Sequence, residues 1–236
     1  MRAERSIDGY GDETAHGDSN MLNVLRHISL CMLSAATSQP APVAIQPSAA
    51  PVAWELNFRF EDPQRVSVVV PGKDEPVVYW FMLYRVDNPS DQEVDFYPAF
   101  ELVTNTLQVI ESEVRVSPEA FRAIERRAND PLLVAPERAI GRLLRGKDRA
   151  RHSVAIFRDF DPKATGFTIF VAGLSGEVRR EKNPAFDASK PESETNKRYF
   201  TFRKTLAIPY KFPGSPVTRR SVIPERLADK QQWIMR

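Results

Sequence analysis

The sequence predicts a mainly β fold, a β-sandwich with a short helical insert at about residues 117–146, and three features carry that reading. Apolar and polar residues alternate over short runs, and turn dipeptides or prolines close most of them. Phenylalanine is abundant, at 14 residues, and proline outnumbers glycine by 19 to 10, which favours strands with stiff connections over a helical bundle. The chain has 236 residues, 42% of them hydrophobic, enough for one sizeable core. A barrel-like all-β fold is the alternative.

Residues 1–20 are polar, rich in Asp, Glu and Gly, and have no apolar periodicity; they read as disordered or as sequence upstream of the true start. From Met21 the pattern is that of an export signal over residues 21–36. Arg26 and His27 form a basic region, Ile28 to Ala36 an apolar one, and Ser34, Ala35 and Ala36 a small-residue cleavage site, leaving Thr37 as the first mature residue. The apolar run is about half of the roughly 20 residues that a membrane-spanning helix needs. Cys31 follows Leu30, where a lipoprotein signal has a small residue. It is the one cysteine of the chain, so the mature protein would have no disulfide and no thiolate chemistry. Residues 37–51 have no charge and many prolines, and read as a linker.

A single domain is expected over residues 52–236. Trp54, Leu56, Phe58 and Phe60 alternate with Glu55, Asn57 and Arg59, a strand with one buried face. Asp62-Pro63 breaks it. Val66, Val68 and Val70 continue to a turn at Pro71-Gly72. Residues 76–86 are apolar on both faces, which predicts a central strand covered on both sides. A turn over residues 87–91 leads to a strand marked by Val94, Phe96, Phe100 and Leu102 and interrupted at Pro98. Residues 107–116 alternate again.

Ser117-Pro118-Glu119 opens a helix: serine caps, proline suits the first position, and glutamate favours the positive end. Phe121, Ile124 and Ala128 share a face. A second short helix is expected from Pro136-Glu137, with Ile140, Leu143 and Leu144 on its apolar side and Gly146 as its stop. Strands follow at 153–157 and 167–172, with a turn at 159–166. Residues 177–198 are charged and read as a solvated loop. Residues 199–210 form a long strand, and Trp233, Ile234 and Met235 are expected to dock as a last strand or short helix.

Tyr79 to Val86, the Asn88-Pro89 turn and the strand from Val94 to Leu102 resemble the immunoglobulin-like modules of bacterial exported proteins, over roughly residues 52–116. The Cys…Trp…Cys pattern of true immunoglobulin domains is missing. The resemblance implies a fold and no activity, so no catalytic residue is carried over from it.

The formal net charge of +2 is no nucleic-acid signature. No zinc-protease, nucleophile-elbow, phosphate-loop or dinucleotide pattern occurs, and no cofactor is implied. His16 and His27 fall in the leader region, leaving His152. Its neighbour Ser153 points to the opposite face of a regular strand, so the two make no nucleophile–base pair. Asp87, Asp91 and Asp95, with Glu93 nearby, form one acidic group that could ligate Ca²⁺, and Asp159 and Asp161 another. Turn residues of this kind otherwise bond their own backbone. Glu101, Glu111 and Glu113 are the strand carboxylates that could pair for glycoside hydrolysis. Arg138, Arg142, Arg145, Lys147, Arg149 and Arg151 make a basic stretch. At helical spacing its first three would share one face, a surface for anionic lipid, a cell-wall polymer or an acidic partner. Few aromatic residues interleave with them, against single-stranded nucleic acid.

These readings predict an exported protein of the periplasm, cell envelope or exterior, acting as a non-enzymatic binding or structural module. Its partner would be an envelope protein or an anionic polymer. An extracellular hydrolase of glycan or cell-wall polymer is the alternative.

Overall fold

The computed structural model describes residues 44–214 and 222–236. The polar stretch 1–20, the expected export signal with Cys31, and the expected linker up to residue 43 lie outside the described residues. Ala44–Arg236 form one compact unit. The later part of the expected linker lies against the domain, because Ser48 N–H donates to Glu177 Oε1 at 2.9 Å and Arg179 Nη2 donates to Ser48 Oγ at 2.9 Å.

The chain is mainly β, with a short helical segment and several antiparallel sheets. The centre of one sheet is β3 (Val77–Asn88), the apolar run that the sequence placed centrally. Along one edge it holds β1 (Asn57–Phe60) and β2 (Gln64–Val68), and along the other β8 (Gly146–Arg158). Alternation divides β3 between two cores. Trp80, Met82, Tyr84 and Val86 enter the main core, while Tyr79 and Phe81 enter a smaller one with Val154 and Ile156. The smaller core is covered by α1 (Pro118–Ala128), which contributes Ala120 and Ile124. Its start is built as expected, with Ser117 Oγ accepting from Ala120 N–H at 3.2 Å. It ends at Asn129 in the left-handed conformation, φ 49°.

The other large sheet contains β5 (Ala99–Thr104), β6 (Val109–Glu111), β9 (Gly166–Ala172), β10 (Val178–Lys182) and β11 (Tyr199–Lys211). Two further short strands, β12 (Glu225–Arg226) and β13 (Gln232–Met235), pair with β11. Its inward residues Phe100, Leu102, Phe167, Ile169, Val171, Leu206, Ile208 and Tyr210 join those of β3 in the main core. Backbone bonds tie the two sheets at their margins: Leu56 N–H to Leu174 O at 2.8 Å, and Glu113 N–H to Ile156 O at 2.8 Å. The chain end docks as a strand, with Thr205 opposite Ile234.

Four sequence expectations are corrected. The second helix, α2, spans only Pro136–Ala139. Gly141 follows at φ +110° and Gly146 at φ +100°, conformations outside the right-handed helix. The residues between them form β7 (Gly141–Leu143), which pairs with β4 (Val94–Phe96) and buries Leu143. Cross-strand burial thus overrides the helical spacing of Ile140, Leu143 and Leu144. The run from Val94 to Leu102 is two strands, because at Pro98 the chain leaves β4 for β5 in another sheet. Residues 107–116 keep only β6 as strand: Leu107 sits in a turn at φ 66°, and beyond Glu111 the chain crosses to β8. The solvated loop 177–198 includes β10, exposed at every residue and paired with β11.

Candidate functional site

The basic stretch is distributed over several elements. Arg138 is on α2, Arg142 on β7, Arg145 in the following turn, and Lys147 and Arg149 on β8. The common helical face of Arg138, Arg142 and Arg145 therefore does not exist, for the reason given for α2. Several members are engaged in holding neighbouring segments together. Arg142 Nε lies 3.1 Å from Glu93 Oε2, and Arg145 Nη1 donates to Asp91 O at 2.7 Å. Arg149 Nε is 3.6 Å from Asp148 Oδ2, and Arg151 Nη1 donates to Ala139 O at 2.7 Å. Arg138 is exposed.

The acidic candidates are separated too. Asp87 is buried and accepts from Asn57 Nδ2 at 2.8 Å. Asp91 is exposed, and Asp95 is exposed on β4 opposite Arg142. The turn between them is organised by Asn88, whose Oδ1 accepts from Ser90 N–H at 3.0 Å and whose Nδ2 donates to Gln92 O at 2.7 Å. Among the described residues, no three His, Cys, Asp or Glu side chains are grouped so that they could hold a metal ion.

Of the strand carboxylates, Glu101 and Glu111 are direct cross-strand partners and line one cleft of about 250 Å³ with Tyr84, Ile140 and Val154. Arg236 Nη1 is 2.5 Å from Glu101 Oε2. Glu113 lies apart from them, ion-paired with Arg158.

The arrangement with the clearest ligand chemistry lies on the outer face of the β3 sheet, past the end of α1. Arg59 of β1, Arg85 of β3 and His152 of β8 stand directly opposite one another in register, so their side chains leave the same face in one row. Like charges directly opposite each other on neighbouring strands destabilise a sheet. Arg85 makes a bond from Nη2 to Lys147 O at 3.2 Å, while its Nε is buried without a partner. Arg59 is held by strand pairing of its backbone, and among the described residues its side chain makes no ion pair or hydrogen bond. These three residues, with Asp130, Glu61, Leu83 and Leu133, line a pocket of about 250 Å³.

His152 Nδ1 is 2.6 Å from Asp130 Oδ2, and its side chain is only 18% exposed, so it is no bare surface histidine. Ser153 is buried and donates to Val134 O at 2.9 Å, away from any role as a nucleophile. Burial pushes the Asp130 carboxyl up. The hydrogen bonds from His152 and Leu132 N–H, and the charges of His152 and Arg85, outweigh that and hold it below the usual carboxylate range. A carboxyl whose pKa is lowered by folding adds stability above its unfolded value near 4, and that stability is lost as pH falls through the folded value. Urea denaturation of Asp130→Asn is therefore expected to show a deficit at pH 6 that shrinks toward pH 3.

Arg59, Arg85 and Asp130 belong to no motif or charged run of the sequence. Arg85 is the lone charged residue in the apolar run 76–86, and Arg59 lies between Phe58 and Phe60. Both are out of phase with the inward aromatic residues, a signal the sequence did carry. Their registration with His152, and the return of the chain at Asp130, are tertiary facts.

A second charged cluster is structural. Lys204, nearly buried, donates to Glu55 Oε2 at 2.7 Å and lies 3.9 Å from Glu177 Oε2, with the Trp233 ring 5.0 Å away. The hydrogen bond from Ser48 N–H is the foremost cause holding the Glu177 carboxyl below the usual range, with burial opposing it.

Among the described residues, no helix is long and apolar enough to cross a membrane. In comparisons with known proteins, no family model, no curated protein and no solved structure matches the chain.

Proposed function

We infer that this protein is a non-enzymatic binding module, an immunoglobulin-like β-sandwich exported to the cell envelope, that takes up an anionic group of an envelope component. The observation that carries this reading is the row Arg59, Arg85 and His152 facing a small pocket, in which two guanidinium groups on neighbouring strands form a like-charge pair that a bound anion relieves. The main core shared by the two large sheets supports the sandwich, and the signal-like residues 21–36 support export.

Hydrolysis of a glycan is the second reading, favoured by the Glu101–Glu111 pair in its cleft. One experiment tests both. The full chain is immobilised, challenged with acidic and neutral cell-wall polysaccharides, and each mixture is assayed for new reducing ends. The expected result is retention of acidic polymer that Arg85→Gln abolishes and Arg142→Gln leaves intact, with no new reducing ends. Equal retention of neutral polymer contradicts the binding reading. Reducing ends that disappear in Glu111→Gln favour hydrolysis.

A further inference from the structure

We propose that the pocket beside His152 recognises a hydroxy-carboxylate sugar unit, a uronate ring, through its carboxylate on Arg59 and Arg85 and a neighbouring hydroxyl on His152. This inference rests on the anion-binding reading above and narrows it to one chemical class.

The charge of the pocket selects a single anionic group. Arg59 and Arg85 supply two positive charges, and Asp130 and Glu61 supply two negative ones at the same pocket. The Asp130 carboxylate is already taken by His152, so the two guanidinium groups stand against the one remaining carboxylate, that of Glu61. A site of this balance suits a monoanion better than a dianionic phosphate ester. The guanidinium fork matches the two oxygens of a carboxylate.

The tautomer of His152 supplies the second element. An ionised carboxylate only accepts hydrogen bonds, so the ring nitrogen facing Asp130 carries the proton. The other ring nitrogen, Nε2, is a donor in the charged ring and an acceptor in the neutral one. It makes no hydrogen bond among the described residues, and His152 lines the pocket. Such a nitrogen beside an anion-binding fork suits a ligand that bears a hydroxyl next to its negative charge, since a hydroxyl both donates and accepts. Neighbouring strands lie about 4.8 Å apart, so the Arg85-to-His152 spacing is on the scale of one sugar ring. Leu83 and Leu133 add an apolar wall for the C–H face of such a ring. A volume of about 250 Å³ is smaller than a drug-sized site and admits one unit of this kind.

Calorimetric titration of the full chain tests the assignment, with trigalacturonic acid, neutral galactotriose, acetate and inorganic phosphate as the probes. Trigalacturonate is expected to bind at least about tenfold more tightly than acetate or phosphate, the discrimination that one added hydrogen bond supports. Galactotriose is expected not to bind. His152→Phe should bring trigalacturonate down to the affinity of acetate, whereas Arg85→Gln should remove both. Acetate or phosphate binding as tightly as trigalacturonate overturns the uronate assignment and leaves the anion site standing. Preference for trigalacturonate that survives in His152→Phe also overturns it. Absence of binding by every anion overturns this inference and the anion-binding reading together. The wild-type ligand series decides the class even where a variant folds poorly.

Discussion

Replacement of Lys204 by methionine is expected to lower the unfolding free energy by about 3–5 kcal/mol, the cost of removing one partner from a buried ion pair. The lysine is 6% exposed at its side chain and stands between Glu55 and the buried Glu177. Glu177 Oε2 is buried without a hydrogen-bond partner, and the charge of its carboxylate is offset by the ammonium 3.9 Å away together with Arg179, whose Nη2 is 3.6 Å from Oε1. Without Lys204, the Ser48 N–H bond and Arg179 still favour the charged Glu177 carboxylate, so that charge stays in a buried position with one cation fewer. Any displacement of that carboxylate loosens its bond to Ser48 N–H. Urea denaturation gives the stability, and proteolysis near Ser48 reports the entry segment. A Lys204→Met, Glu177→Gln double variant is expected to recover part of the loss, because the uncompensated charge is gone. A loss below about 1 kcal/mol would show that the cluster behaves as a surface ion pair.

Truncation of Trp80 to alanine is expected to cost about 3–5 kcal/mol, as for other large aromatic side chains in cores. Trp80 is 1% exposed and lies where the two sheets meet. Its ring is 5.5 Å from that of Phe160, 5.6 Å from Phe212 and 6.3 Å from Phe167. Its Nε1–H donates to Asp159 Oδ1 at 2.8 Å, so truncation also removes that hydrogen bond. Domains of ordinary stability hold about 5–15 kcal/mol, so this one change removes a large share. Trp80→Phe keeps most of the apolar contact and is expected to lose markedly less. Denaturant midpoints of the two variants separate the packing loss from the hydrogen-bond loss.

Much of this architecture is legible in residue order, because the strongest local signals agree with the final packing. The run 76–86 is apolar on both faces and is a strand between two cores. Ser117-Pro118-Glu119 starts α1 where the capping chemistry places it, and Trp233 to Met235 docks as the last strand. The failures occur where non-local pairing decides. Residues 140–146 read as a helix from their Leu spacing, but pairing with β4 and the two positive-φ glycines make them β7 and the start of β8. β10 reads as loop in the sequence because its residues are charged and poor in apolar side chains, while its hydrogen bonds come from β11.

The site follows the same division. The sequence marks the basic stretch from Arg138 to Arg149 by density of charge, yet the fold spreads it over separate elements and engages Arg142, Arg145 and Arg149 with neighbouring groups. The row Arg59, Arg85 and His152 is sparse in sequence and adjacent in space, since three strands from distant segments bring it together. Single charges at outward positions of apolar strands were thus the more informative signal.

The central claim, that an anion is taken up by this row, is tested most directly by an NMR titration of the full chain with an acidic oligosaccharide. The arginine side-chain and histidine ring resonances are followed together. The expected result is saturable shifts confined to Arg59, Arg85, His152 and Asp130, lost in Arg85→Gln. Shifts centred on Arg138, Arg142, Arg145, Lys147 and Arg149, or no saturable shift at His152, would contradict it.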